Sequence, residues 1–259
     1  PNYSLITNIS NVHIENYNSF DEIVRTKLAI FKKLNRDGTA FINLDDKEIS
    51  KVKFPNKKVT FGMNKISDFS GTLKNNNLLI NDKMFNVPNR ILHLQNIILS
   101  VYAISKTIGI SDAHFQNSIS SFHLPEGRGN LIEINGYKII DDAYNASPSS
   151  MRLGLKRFST LHSKNKKILI IGDMLELGHK VSLEHKNLGL FINDLNIDIV
   201  LAFGSSIKKT FSNLNDNFIY KKYFNKIEAL KKIFDELVEK NDLVYLKGSR
   251  STKLERIYK

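Results

Sequence analysis

In Tyr137-Lys138-Ile139-Ile140-Asp141-Asp142-Ala143-Tyr144-Asn145-Ala146-Ser147-Pro148 a short apolar run gives way to a polar loop, and a helical pattern follows from about Ser149. The loop therefore sits at the carboxyl end of a strand. Two adjacent carboxylates, a phenol and an amide are poor core material and good ligand-binding material. In open α/β sheets, ligands bind in the crevice beyond the carboxyl ends of the strands. Residues 141–148 thus predict an α/β domain with its site on that rim.

Working outward, the downstream chain alternates regularly. Strand patterns at 167–171, 199–203 and 243–246, with a weak one at 218–220, are followed by helical patterns near 183–195, 205–211 and 226–239 and from about Thr252. Repeated strand–helix units imply a mainly parallel sheet with right-handed crossovers, a Rossmann-like arrangement. Gly172-Asp173-Met174-Leu175-Glu176-Leu177-Gly178 and Lys247-Gly248-Ser249-Arg250-Ser251 also follow strands, so they converge on the same rim. Just upstream, Asn135-Gly136 between two apolar runs is a hairpin signal.

Leu124-Pro125-Glu126-Gly127-Arg128-Gly129 is the expected domain boundary, dividing the chain into 1–125 and 126–259. The first part opens with a buried strand pattern, Ser4 to Ile9. A capping box at Ser19 and Glu22 starts a helix to about Leu34, and a strand at 39–43 precedes Asp45-Asp46. Short β-rich runs from Lys57 to Val87, separated by Gly62, Asn75–Asn77 and Asn81-Asp82, read as antiparallel strands. Two helices, 91–107 and 111–122, complete it.

With 259 residues, 41% hydrophobic and 25% charged, there is room for two cores. Zero cysteines exclude disulfides and thiolate zinc sites and suit a cytoplasmic protein. No apolar run approaches the roughly 18 residues of a membrane span, and no signal peptide is visible. The net charge of +12 is spread along the chain rather than clustered. That argues against nucleic acid and suits a highly anionic small substrate. The start at Pro1 suggests a fragment or a processed chain.

DDAYNASPSSM, GDMLELG followed by His185 and Gly189, and KGSRSTKLE resemble the C-terminal domain of the Mur ligases. ITNISNVHIENYNS, Lys27 and GTAFINLDD resemble the central ATPase domain of the same family. The fold implied is part of a Mur-ligase central domain followed by a Rossmann-like C-terminal domain. The closest resemblance is to the branch that adds D-alanyl-D-alanine to UDP-N-acetylmuramoyl-tripeptide in peptidoglycan synthesis. ATP and Mg²⁺ are the implied cofactors, and the full-length enzyme is expected to be a monomer. A sister ligase adding one amino acid, a folylpolyglutamate-type ligase and a noncatalytic remnant of a split gene are the alternatives.

The resemblance implies roles for particular residues. His13 and Lys27 are the catalytic and metal-holding pair, Lys27 acting as a carbamate; without the resemblance, Lys27 is a solvated helix lysine. The family's acidic residue two positions on is Ala29 here. Asn8 would position phosphate or metal-bound water. Asn96 would meet adenine, although His93 stands three rather than four residues before it. Arg128 would grip ATP phosphate, Asp142 the ribose hydroxyls, and Tyr144 and Asn145 would close over the nucleotide; Asx turns are the competing reading. Asp173 and Glu176 would hold the ammonium of D-alanyl-D-alanine, with Asp173 as a helix cap the alternative. Lys247, Ser249 and Arg250 would form a basic loop for a carboxylate or phosphate. His185 is either a support for the 173–178 loop or simply structural.

No Gly-x4-Gly-Lys-Ser/Thr loop occurs in the chain. Such a loop is expected upstream of Pro1, together with the UDP-binding domain, and these 259 residues alone are expected to be inactive.

Overall fold

The computed structural model describes residues 1–10, 15, 17–53 and 57–259. The chain divides into two compact units, with the boundary between His123 and Leu124. No helix among the described residues is long and apolar enough to cross a membrane.

The first unit is built on a six-stranded sheet in sequence order: β1 (Tyr3–Leu5), β2 (Thr39–Asn43), β3 (Lys57–Met63), β4 (Phe69–Lys74), β5 (Asn77–Ile80) and β6 (Lys83–Asn86). Every residue of β2 is buried, as expected of a parallel strand covered on both faces. Helix α1 (Phe20–Lys32) starts where Ser19 accepts the Glu22 amide and buries Ile23 and Phe31. Helix α2 (Gln95–Thr107) buries Ile98, Leu99 and Tyr102. Helix α3 (Asp112–Ser121) adds Phe115, packed edge-on against Phe85 and Tyr102 at 5.1 and 4.9 Å between centroids. Asp112 accepts from the Tyr102 hydroxyl at 3.1 Å and pairs with Lys106 at 2.9 Å and with Lys83. Hydrogen bonds from Lys83 and Lys106 hold its carboxyl down at about 2, and burial lifts the Tyr102 phenol to about 12.

Two expectations change here. The first strand ends at Leu5 rather than Ile9. The run from Lys57 is not wholly antiparallel: β3 pairs parallel with both β2 and β4, and only β4–β5–β6 is antiparallel. About a dozen residues separate β2 from β3, the length of a crossover, whereas β4–β5 and β5–β6 are each joined by two residues, the length of a hairpin turn.

The second unit's sheet has the order β11-β10-β9-β12-β8-β7. These are β7 (Asn130–Ile134), β8 (Tyr137–Asp141), β9 (Lys167–Gly172), β10 (Ile199–Phe203), β11 (Tyr220–Phe224) and β12 (Leu243–Lys247). All neighbours are parallel except the β7–β8 hairpin at one edge. Helices α4 (Pro148–Thr160), α5 (Val181–Ile192), α6 (Lys208–Phe211) and α7 (Ile227–Leu237) supply the crossovers. Strand alternation separates two cores. Leu169, Ile171 and Val200 join Phe158 and Leu188 on one face, while Ile168, Ile170 and Leu201 join Leu230 and Phe234 on the other.

Strand β12 lies between β8 and β9, which are consecutive in sequence. That reversal of strand order is a topological switch point, and it makes neighbours of the loops after β8, β9 and β12. Helix α4 starts immediately after the first of these loops. Ser147 and Ser150 form a reciprocal capping box, and Pro148 occupies the first turn. The helix expected from Thr252 is instead two 3-10 turns, broken at Lys253 with φ +45°.

Candidate functional site

At the switch point the two adjacent carboxylates are not equivalent. Asp141 ends the buried alternation Tyr137, Ile139, Asp141 and is 1% exposed. One of its oxygens accepts the Ala143 amide at 3.1 Å, and the other the Tyr258 hydroxyl at 2.8 Å. Burial raises the Tyr258 phenol, and the hydrogen bond to Asp141 raises it further. Asp141 therefore shapes the loop and ties down the last residues of the chain.

Asp142 points the other way and stays partly open. Its Oδ2 accepts from Lys247 Nζ at 2.6 Å and from the Tyr245 hydroxyl at 2.7 Å. The Lys247 side chain is 3% exposed against 25% for Asp142. Lys247 also reaches the carbonyls of Asp142 and Asn145, at 3.5 and 3.4 Å, so it pins the base of the loop. Burial drives the Tyr245 phenol well above its ordinary value, and the Asp142 charge adds to that. Desolvation lowers the Arg157 guanidinium, while the nearby Tyr245 and Asp142 oppose the shift.

Tyr144 and Asn145 are exposed on the outer side of the loop. The Arg128 guanidinium lies 3.8 Å from the centroid of the Tyr144 ring. Gly127, at φ +72°, makes that approach possible, since a Cβ there would meet the Tyr144 amide at 3.1 Å. The Asn145 side chain accepts the Ala146 amide at 2.8 Å, an Asx contact within the loop.

Three residues expected to face a substrate turn inward. Asp173 is 6% exposed and accepts the amides of Ser205 and Ile207 at 3.0 and 2.6 Å. Gly204, at φ +127°, leaves the space where a Cβ would come within 2.6 Å of that carboxylate. Asp173 thus anchors the turn after β10, not the start of the next helix. Ser249 is 3% exposed and accepts the Leu175 amide at 3.0 Å, joining the loops after β9 and β12. Lys247 is spent on Asp142. The physical reason is common to all three: a charged or polar group buried beside loop amides must be satisfied locally.

Glu176 and Arg250 remain outward. Glu176 is exposed and holds φ +60°, a conformation that is rare for a residue other than Gly or Asn. Arg250 pairs with Glu255 at 3.1 Å, its own side chain 61% exposed. His185 is fully buried and accepts the Met174 amide on Nε2 at 3.3 Å, so Nδ1 donates to Thr210 at 3.0 Å. Burial depresses its pKa, keeping it a neutral support for the 173–178 loop.

In the first unit a cavity of about 170 Å³ is lined by Thr7, Asn8, Asn43, Asp45, Asp46 and Asn96, among others. Asn8 and Asn96, expected on separate grounds, meet in it. It is smaller than the roughly 300–1,000 Å³ of a complete ligand site, so it suits one part of a ligand. Its wall is fixed by Asp46, which accepts the amides of Ile9, Glu48 and Ile49, and by Asn43, which donates to the Thr7 carbonyl. His93 is exposed on the turn before α2 and does not line the cavity. Lys27 is half-buried on α1. His13 lies outside the described residues. Among the described residues no three His, Cys, Asp or Glu side chains converge as a metal ion would need. Asp46 gives both oxygens to amides, and Asp45 gives Oδ2 to the Met63 amide.

Tyr245, Gly154, Arg157 and Tyr258 were not foreseen. A glycine inside a helical pattern and a tyrosine inside an aliphatic strand are the signals that point to the first two.

The Mur ligase middle domain matches residues 1–105, and the Mur ligase glutamate ligase domain matches residues 127–250. The UDP-N-acetylmuramoyl-tripeptide--D-alanyl-D-alanine ligase of Rickettsia prowazekii is 31% identical over 99% of this chain and 60% of its own length. The enzyme of that name from Bacillus subtilis is 30% identical over 100% of this chain and 59% of its own. The crystal structure of MurF ligase from Thermotoga maritima in complex with ADP superposes with a TM-score of 0.80 at 25% identity, covering all of this chain and 61% of that one. The chain therefore spans about 60% of the length of the curated relatives it matches.

Proposed function

The chain belongs to the Mur ligase family, and from that premise we propose that it is part of an ATP-dependent ligase joining D-alanyl-D-alanine to UDP-N-acetylmuramoyl-tripeptide. In that reaction the peptide carboxylate attacks the γ-phosphate, and the dipeptide amine then displaces phosphate from the acyl phosphate. The observation that supports the reading is that the two curated relatives named above, matched over 99% and 100% of this chain, both carry this specificity in their names.

Each described residue has a share that its chemistry can perform. The outward oxygen of Asp142 accepts ribose hydroxyls. Arg128, stacked on Tyr144, offers a planar cation to phosphate, and Asn145 flanks it. In the first unit, Asn8 and Asn96 offer amide groups to the phosphate and base, respectively. Glu176 faces the dipeptide ammonium and Arg250 its carboxylate. Asp173, Lys247 and Ser249 act behind them as the frame of the loops. Mg²⁺ would depend on Lys27 as a carbamate together with His13, and the ion's chemistry would be to offset phosphate charge.

The dipeptide share is testable on the 259-residue chain by equilibrium dialysis. D-alanyl-D-alanine should be retained, and free lysine and glutamate should not. Equal retention of all three would remove the assigned specificity. Because no Gly-x4-Gly-Lys-Ser/Thr loop lies within these residues, the chain by itself should release no ADP in the complete reaction mixture.

A further inference from the structure

Tyr245 is 4% exposed, yet it carries a hydroxyl that a core phenylalanine would not. Its ring is stacked on Phe158, with centroids 5.2 Å apart and planes 18° from parallel. Its hydroxyl reaches Asp142 Oδ2 through a gap in α4 at Gly154. A Cβ on Gly154 would stand 2.1 Å from the Tyr245 oxygen and 3.5 Å from Asp142 Oδ2. A glycine in a helix interior is unfavourable against alanine, so this one has a use: it makes room for the hydroxyl.

Lys247 approaches the same oxygen from the same strand, two residues on, and therefore from the same face. Oδ2 is thus held by two donors. Among the described residues no hydrogen bond reaches Oδ1, which is the oxygen left for an incoming donor. Lys247 balances the charge. The hydroxyl adds a second fixed point, and two fixed points on one oxygen set the rotation of the carboxylate plane.

We propose that Tyr245 is a positioning residue that orients Asp142 Oδ1 toward a vicinal diol and thereby makes the site discriminate a ribose from a deoxyribose. The inference rests on the assignment of the nucleotide ribose to Asp142. A purely structural tyrosine would change folding and leave the ribose preference alone, so the preference is what the experiment must read.

The test is a titration of the 259-residue chain and its variants with ATP and with 2′-deoxy-ATP, followed by saturation-transfer NMR. The parent chain should bind ATP more tightly by roughly tenfold or more, the worth of one hydroxyl donated to a carboxylate. Asp142→Asn should remove most of that ratio. Tyr245→Phe, which keeps the ring and its stack, should also remove most of it, with the larger loss on ATP. Gly154→Ala, which expels the hydroxyl by a different route, should do the same. If Asp142→Asn abolishes the preference but Tyr245→Phe and Gly154→Ala retain it, Asp142 meets the ribose without help and the inference fails alone. If the parent chain shows no preference, or Asp142→Asn leaves it intact, the ribose assignment falls and takes the inference with it.

Discussion

The Lys247 ammonium lies 2.6 Å from Asp142 Oδ2, with the lysine almost wholly buried and the carboxylate a quarter exposed. A basic loop offered to a substrate and a carboxylate offered to a ribose are, in the folded chain, each other's partner. Both donors use Oδ2, which leaves the other oxygen of Asp142 beside the exposed Tyr144 and Asn145 of the loop that this pair holds in place.

Removing one member of the pair should therefore cost stability. Lys247→Met leaves Asp142 without its cation, and the cost should be about 2 kcal/mol, below the range for fully buried pairs because Asp142 reaches water. Urea denaturation measures it. The double variant Lys247→Met/Asp142→Asn should recover part of the loss, and a strictly additive result would show that the two do not interact.

Asp173 and Glu176, three residues apart in one loop, should behave oppositely. Asp173→Asn weakens the charge-assisted bonds to the Ser205 and Ile207 amides and should lower the unfolding free energy by about 1–2 kcal/mol. Glu176→Gln should leave stability within about 0.5 kcal/mol and reduce retention of D-alanyl-D-alanine. Thermal melts paired with dialysis separate the two.

The φ of +60° at Glu176 predicts a gain as well as a loss. Glu176→Gly relieves the left-handed backbone, worth about 1 kcal/mol before the entropy of glycine is subtracted. The backbone relief should offset part of what the lost side-chain contacts cost in urea, and the variant should bind the dipeptide more weakly. A clear destabilisation would mean that the Glu176 side chain is needed for the fold.

His185 sets a pH dependence whose sign is fixed by burial. Its folded pKa lies below the unfolded value of 6.5, so between the two the unfolded chain binds the extra proton. Its contribution is intact above about 6.5 and is lost as pH falls through that window. Urea midpoints from pH 8 to pH 5 should fall more steeply for the parent than for His185→Asn. Parallel slopes would assign the acid sensitivity elsewhere.

Much of the second unit is legible because aliphatic runs such as Lys167 to Gly172 and Leu243 to Lys247 end abruptly in polar loops. Alternation along β8 also contained the difference between Asp141 and Asp142, since 137, 139 and 141 share the buried face. Lys247 is harder. Every residue of β12 is buried, and only knowledge of the Asp142 position shows why a lysine is tolerated there. Strand β11 is partly hidden by Lys221 and Lys222, which suit an exposed sheet edge and dilute the strand pattern. The parallel pairing of β3 depends on the path between β2 and β3, which strand propensity does not encode.

The most direct test of the account is an ADP titration of the ¹⁵N-labelled chain, followed through backbone amide shifts. The account predicts saturable shifts at Asp142 to Asn145 and Arg128, and at Asn8 and Asn96. Shifts that leave these residues still and gather instead at the opposite end of the second sheet, around Lys167 and Asp198, would contradict it.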